Sequence, residues 1–232
     1  MKEFNLAVLP GDGIGKEIME ACLKLLDKVQ MKVGGYNFQY YLIDAGADFY
    51  LRTGIDITES DFRACGEADA ILFGAMGLPN VFFEDGTEIA PHLKIRDEYG
   101  LYAGVRPVKA YPNTPMMLAD KRAKNIDFVI LRESTEGMFA SRGKGEILND
   151  TIARDTMEIT RGTSEKLFDF AFELARKRKA NGSRGEVTCV DKSNVFRSFA
   201  FFRKIFGERA ALNPDIIASH NYVDALALYL VQ

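Results

Sequence analysis

The sequence predicts an α/β fold in two lobes, and three observations predict it. Short apolar runs alternate with segments of helical period along the chain, as strands and helices in alternation should. The first run ends in a glycine-rich turn, LPGDGIG, that opens a helical segment. After Tyr99 the character changes: GVRPVKAYPNTP carries three prolines, and proline holds itself and its predecessor in extended geometry. That stretch is the expected crossing from a first lobe over residues 1–103 to a second over 104–232.

In chain order, Phe4–Leu9 reads as a buried strand, and the following segment places Ile18, Cys22, Leu25, Leu26 and Val29 on one helical face. Strands are expected near Phe38–Ile43 and at Ala70–Phe73, with Thr58 as an N-cap between them. Beyond the prolines come a strand at Ile126–Leu131, a polar, glycine-rich arm at Gly137–Gly145, a helix near Thr163–Arg178 and a strand at Val187–Val190. Val195–Phe206 is helical and rich in aromatic residues, which assigns it to the core or to a subunit interface. VDALALYLVQ reads as a helix that stays apolar to its last turn with no glycine cap, the pattern of a chain whose homologues continue.

The chain has 232 residues, 47% hydrophobic and 27% charged, enough to bury a sizeable core in one or two domains. A net charge of −3 argues against a general nucleic-acid binder. The basic cluster Arg176, Lys177, Arg178 and Lys179 ends a helical segment, where it complements the helix dipole. Cys22, Cys65 and Cys189 are far apart and lack metal-ligand spacing; burial is the expectation for each, in a reducing compartment. No run approaches the ~20 apolar residues of a membrane span, and MKEFNLAV lacks a signal region. The expected location is the cytoplasm.

The glycines of GDGIG invite a dinucleotide-binding reading, but the spacing departs from the Rossmann fingerprint. The third glycine comes one residue early, Asp12 puts a carboxylate where phosphates would approach, and Asp44 lies too far downstream. A tight turn explains the same glycines without a ligand. Arg96, Arg106 and Arg132 present planar forks matched to carboxylates, so together they would bind a di- or tricarboxylate; singly, each reads as a surface salt-bridge partner. Lys192 directly follows a buried-looking strand, where a lysine serves either as a base or as a solvated loop residue. Asp224 begins the last helix, either as an N-cap or as an oxygen ligand for a hard divalent cation.

LPGDGIG, GAMGLP, the arginine pair ending in VRPVK, RESTEG, VDKSNV and YVDALAL occur here in the order of the motifs of the β-decarboxylating dehydrogenases. The chain resembles that family, which includes isopropylmalate, isocitrate, tartrate and malate dehydrogenases, over essentially its whole length. The resemblance implies an isopropylmalate dehydrogenase-like two-lobed α/β fold that is not Rossmann. It implies oxidation of a small 2-hydroxy carboxylic acid by NAD (or NADP) with β-decarboxylation, and dependence on Mg2+ or Mn2+. It also implies a homodimer, with no nucleic-acid or membrane partner.

Residue by residue, the resemblance assigns Arg96, Arg106 and Arg132 to the substrate's carboxylates and hydroxyl. It assigns Lys192 to removal of the C2 hydroxyl proton and Asn194 to the nicotinamide side. Gly74, Ala75 and Pro79 fall in a loop flanking nicotinamide, and Ile14 in the family's first strand-to-helix turn, within reach of the nucleotide. Asp224 matches a metal-ligand aspartate that reaches into the partner subunit's site, and Gly137–Gly145 the start of an intersubunit arm. Three departures stand out. Phe139 occupies the position of the family tyrosine that protonates the enolate, with Ser134, Ser141 or Tyr222 as substitute hydroxyls. The family continues past the Asp224 helix into further metal-binding aspartates and the adenine loop. IAPHLKIR, before Arg96, has Ala90 and His92 where relatives read the substrate's variable group; His92 either recognises a polar group or faces solvent. The rival readings are a non-catalytic or truncated subunit of this family, and a plain carboxylate-binding module.

Overall fold

Leu6 and Val8 point to one side of the first strand and Ala7 and Leu9 to the other, so a strand apolar on both faces must be covered on both. In the computed structural model, which describes residues 2–231, it is. Strand β1 (Lys2–Gly11) lies between β2 (Tyr36–Leu42) and β3 (Ala70–Ala75) in a parallel sheet of order β2–β1–β3. Helix α1 (Ile14–Val33) covers Leu6 and Val8 through Met19 and Leu23. On the opposite face Ala7 and Leu9 join Ile43, Ile57, Cys65 of α3 (Glu59–Glu67) and Ile95 of α4 (Pro91–Glu98). Helix α2 (Ala47–Thr53) intervenes. Thr58 caps α3, its hydroxyl accepting the Asp61 N–H at 3.1 Å.

The buried face of α1 differs from the sequence expectation. Ile18, Leu25 and Val29 are exposed, Cys22 and Leu26 are half-buried, and the buried residues are Gly15 and Met19. The helix carries two adjacent apolar ridges, and periodicity does not choose between them. Gly15 chooses: a Cβ there would collide with the Pro10 carbonyl oxygen, so this bare point on the helix sits against the sheet and brings Met19 and Leu23 inward with it.

The chain divides into two compact units between Gly100 and Leu101. The proline-bearing stretch opens as β4 (Ala103–Lys109), antiparallel to β5 (Asp127–Glu133); Pro107, lacking an N–H, sits in a strand paired on one side only. After the Gly137–Gly145 segment comes a short hairpin of β6 (Glu146–Leu148) and β7 (Ile152–Arg154). Helix α5 (Arg161–Ala180) begins at Thr160, whose hydroxyl accepts the Thr163 N–H. Strands β8 (Glu186–Asp191) and β9 (Ile217–Tyr222) are parallel, joined by α6 (Arg197–Ala211), and α7 (Val223–Tyr229) follows. The core of this unit is aromatic: Phe168 and Phe172 of α5 pack on Ile205 and Phe206 of α6, so the aromatic helix is largely core.

The basic end of α5 is neutralised by ion pairs: Arg176 with Asp215, Lys177 with Glu173 and Arg178 with Asp127. Cys65 and Cys189 are buried as expected, whereas Cys22 is half-buried. Burial pushes the Cys65 thiol up to about 11. Among the described residues, no helix is long and apolar enough to cross a membrane.

Candidate active site

In the first unit the glycine turn joins the end of β1 to the end of β3. Gly11 has φ +76°, and a Cβ on it would strike the Ala75 carbonyl oxygen. That oxygen accepts the Asp12 N–H at 2.7 Å. Gly11 and Gly15 serve close backbone approach, as a tight turn requires. Ile14 follows at the start of α1 and is 65% exposed. The loop after β3 lies beside it: the Leu78 side chain stands 3.9 Å from where a Cβ on Gly13 would be. Gly74 and Ala75 are half-buried and Pro79 exposed. Ile14 and this loop therefore offer an open apolar surface that suits one face of a planar ring.

His92 and Arg96 stand one turn apart on α4, both half-buried. The His92 ring lies 5.5 Å from that of Phe73, so His92 does not simply face solvent. Ala90 is 2% exposed at the N-cap of α4, where it shapes the helix start.

In the second unit the strand register brings two arginines to one face. Arg132 stands opposite Gly104, and Arg106 is two residues along from Gly104, so Arg106 and Arg132 are diagonal neighbours on the same side of the β4–β5 ladder. Both are exposed. Diagonal Cβ atoms lie roughly 7–8 Å apart, a spacing at which two forks can grip two carboxylates of one small acid. The Arg132 guanidinium lies over the Phe139 ring at 5.2 Å from its centroid. The RESTEG turn is held by its own acids: Glu133 accepts the Thr135 N–H at 2.7 Å and the Glu136 N–H at 2.8 Å, and Glu136 accepts the Thr160 N–H at 2.8 Å.

Of the substitute hydroxyls, Ser141 is buried and committed, donating to the Thr156 carbonyl oxygen at 2.7 Å and accepting the Thr156 N–H. Ser134 is buried and donates to the Arg132 carbonyl oxygen at 3.2 Å. Tyr222 is exposed, and the Lys192 ammonium lies 5.9 Å from its ring centroid.

Lys192, just past β8, donates to the Asp224 carboxylate at 2.6 Å. This hydrogen bond is the chief cause holding the Asp224 carboxyl below its ordinary range. Asp224 is not the N-cap of α7: Tyr222 holds that place, leaving Asp224 in the first turn with its side chain 66% exposed. Asn194 is exposed, two residues beyond Lys192. Sequence reasoning missed the support beneath them. Asp191 is 2% exposed and accepts both arms of the Arg203 fork at 2.8 Å, and the Ser193 N–H at 2.8 Å. Burial pushes its pKa up, but Arg203 and Ser193 outweigh burial and hold it below the usual range. Arg203 also lies 4.9 Å from the Tyr222 ring centroid. The available signal was an acid directly before the lysine and an arginine on the inward side of the next helix.

Among the described residues, no group of three or more His, Cys, Asp or Glu side chains could hold a metal ion. Asp224 directs its carboxylate to Lys192 instead, so these donors do not by themselves fit Mg2+ or Mn2+.

The family model for isocitrate/isopropylmalate dehydrogenase matches residues 5–232. The chain is 36% identical over 228 residues to a 3-isopropylmalate/3-methylmalate dehydrogenase of Methanocaldococcus jannaschii, covering 98% of this chain and 62% of that one. It is 35% identical over 239 residues to the 3-isopropylmalate dehydrogenase of Aquifex aeolicus, covering 100% of this chain and 64% of the relative. An isocitrate dehydrogenase structure from Methylococcus capsulatus superposes with a TM-score of 0.84 at 26% identity, covering 100% of this chain and 63% of that chain. A β-decarboxylating dehydrogenase structure from Thermococcus kodakarensis matches with a TM-score of 0.69 at 32% identity, covering 98% and 60%. The chain thus spans less than two thirds of the length of these relatives.

Proposed function

The chain belongs to the isocitrate/isopropylmalate dehydrogenase family, and from that premise we propose that the protein oxidises a 2-hydroxy di- or tricarboxylic acid with NAD or NADP, followed by loss of the β-carboxylate. The shared face of Arg106 and Arg132 carries this reading, because two exposed guanidinium groups at that spacing select an acid with two carboxylates. In the first unit, Arg96 and His92 on α4 are the candidates for a carboxylate and Ile14, Gly74, Ala75 and Pro79 those for the dinucleotide; in the second unit, Asn194 is the candidate for the nicotinamide side. A bound nicotinamide supplies the hydride acceptor for the C2 hydrogen.

Lys192 receives the proton of the C2 hydroxyl. Lys192 donates to the Asp224 carboxylate at 2.6 Å, so this hydrogen bond must open before the amine can reach the hydroxyl. Loss of the carboxylate as CO2 leaves an enolate, and protonation of that enolate is the step for which Phe139 has nothing to give. Asp224 acts across a homodimer interface. The exposed apolar side chains of Ile147 and Ile152 on the β6–β7 hairpin, and of Val223, Leu228 and Tyr229 on α7, suit such an interface.

The test is an assay of the protein with NAD and NADP against isopropylmalate, isocitrate, tartrate and malate, with Mg2+ or Mn2+ present. Reduction of the nucleotide with one of these acids is the expected result. No reduction with any of them, together with a monomer in light scattering at micromolar concentration, overturns the reading. A second reading, a non-catalytic subunit that keeps fold and interface, is favoured by Phe139, which has no proton to give.

A further inference from the structure

The glycine turn holds a buried carboxylate that the reaction does not use. Asp12 is 2% exposed. Its Oδ2 accepts the Ala47 N–H at 2.9 Å and the Gly77 N–H at 2.8 Å, and its Oδ1 accepts the Asp48 N–H at 2.8 Å. Ala47 and Asp48 open α2, whose N-cap is Gly46 and offers no side-chain acceptor. Asp12 thus caps α2 from a distant turn. Gly46 makes room for it, since a Cβ there would press into the Asp12 carboxylate. Gly77 belongs to the loop after β3. One side chain therefore ties together the first turn, the start of α2 and the loop from Gly74 to Pro79.

We infer that Asp12 is a positioning residue for the dinucleotide: by occupying these amides with its own carboxylate, it fixes the Gly74–Pro79 loop against the first turn in the shape the cofactor meets. The inference rests on the reading that this loop flanks nicotinamide. Because the three amides are already satisfied, they are not donors for the cofactor's phosphates. Asp12 acts through backbone it holds and touches neither substrate nor cofactor.

The test compares wild type with Asp12→Asn and Asp12→Ala in two measurements: titration with NADH and NADPH followed by their fluorescence, and hydrogen exchange resolved by segment. An asparagine has one acceptor oxygen in place of two, so at least one amide loses its partner. The expected result for Asp12→Asn is a dissociation constant raised about tenfold, with faster exchange at residues 47–48 and 75–79 and unchanged exchange across Leu6–Leu9. The KM for the acid stays unchanged, and kcat at saturating dinucleotide stays within about threefold. A purely structural role instead lowers kcat through the fraction folded and leaves the dissociation constant of the surviving protein unchanged, which overturns the inference. If Asp12→Ala fails to fold, Asp12→Asn decides. Wild type that binds neither nucleotide overturns the cofactor reading and this inference with it; wild type that binds while Asp12→Asn binds equally well overturns this inference alone.

Discussion

Asp12 in the first unit and Asp191 in the second are equally buried, at 2% exposure each, yet they are satisfied by different means. Asp12 takes three main-chain amides, so its hydrogen bonds fix backbone: a turn, a helix start and a loop. Asp191 takes the fork of Arg203, one amide and the Cys189 thiol, so it fixes chiefly side chains, holding Arg203 over Tyr222 beside Lys192. A carboxylate held by neutral amides has no buried cation left behind if it is removed. A carboxylate held by a guanidinium is half of a pair, and losing either half strands the other charge. The first unit thereby holds a surface in shape, and the second holds charges beside Lys192, the proposed base.

The contrast is sharpest at Lys192. Lys192→Ala is expected to lower oxidation by about 10²–10⁴ while thermal melting stays close to wild type, because the lysine's ion-pair partner, Asp224, is exposed. Turnover within a few fold of wild type would mean that another base operates. The next effect is on stability. Arg203→Met leaves the Asp191 carboxylate buried with only the Ser193 amide and the weakly donating Cys189 thiol and should cost about 3–5 kcal/mol in denaturant unfolding, against about 1–3 kcal/mol for Asp12→Asn. Equal costs would break the distinction between the two aspartates.

Phe139→Tyr restores a hydroxyl beneath Arg132 and should speed decarboxylation of the 2-keto acid, supplied directly with metal, by up to about 10²-fold, the lower end of what a positioned acid provides. If the rate is unchanged or slower, the phenylalanine belongs to a differently shaped pocket in which Arg132 simply rests on the ring. The smallest expected effect is on pH dependence. Asp191 has a folded pKa below its unfolded value of about 3.9, so its contribution to stability is present above that value and is lost as pH falls through the lower folded one. Between about pH 5 and about pH 3 the melting temperature of wild type should therefore fall more than that of Arg203→Met, in which that window is closed. Parallel curves for the two proteins would show that Arg203 does not set the Asp191 pKa.

The sequence by itself determined what depends on near neighbours. The apolar run Phe4–Leu9 placed β1, a hydroxyl at Thr58 capped α3, and the order of six short motifs placed the chain in its family. Tertiary structure decided what depends on distance along the chain. Periodicity presented two ridges on α1, and only the contact of Gly15 with Pro10 chose the inner one. Arg106 and Arg132 were legible as candidates, but their common face comes from the register of β4 on β5, which no local pattern specifies. Asp12 meets Ala47 and Gly77, and Asp191 meets Arg203, across 35, 65 and 12 residues. Local propensity reports the turn a residue sits in. The partner of a buried charge is set by which segments the core brings together, and the cost of leaving that charge unpaired then selects the pairing.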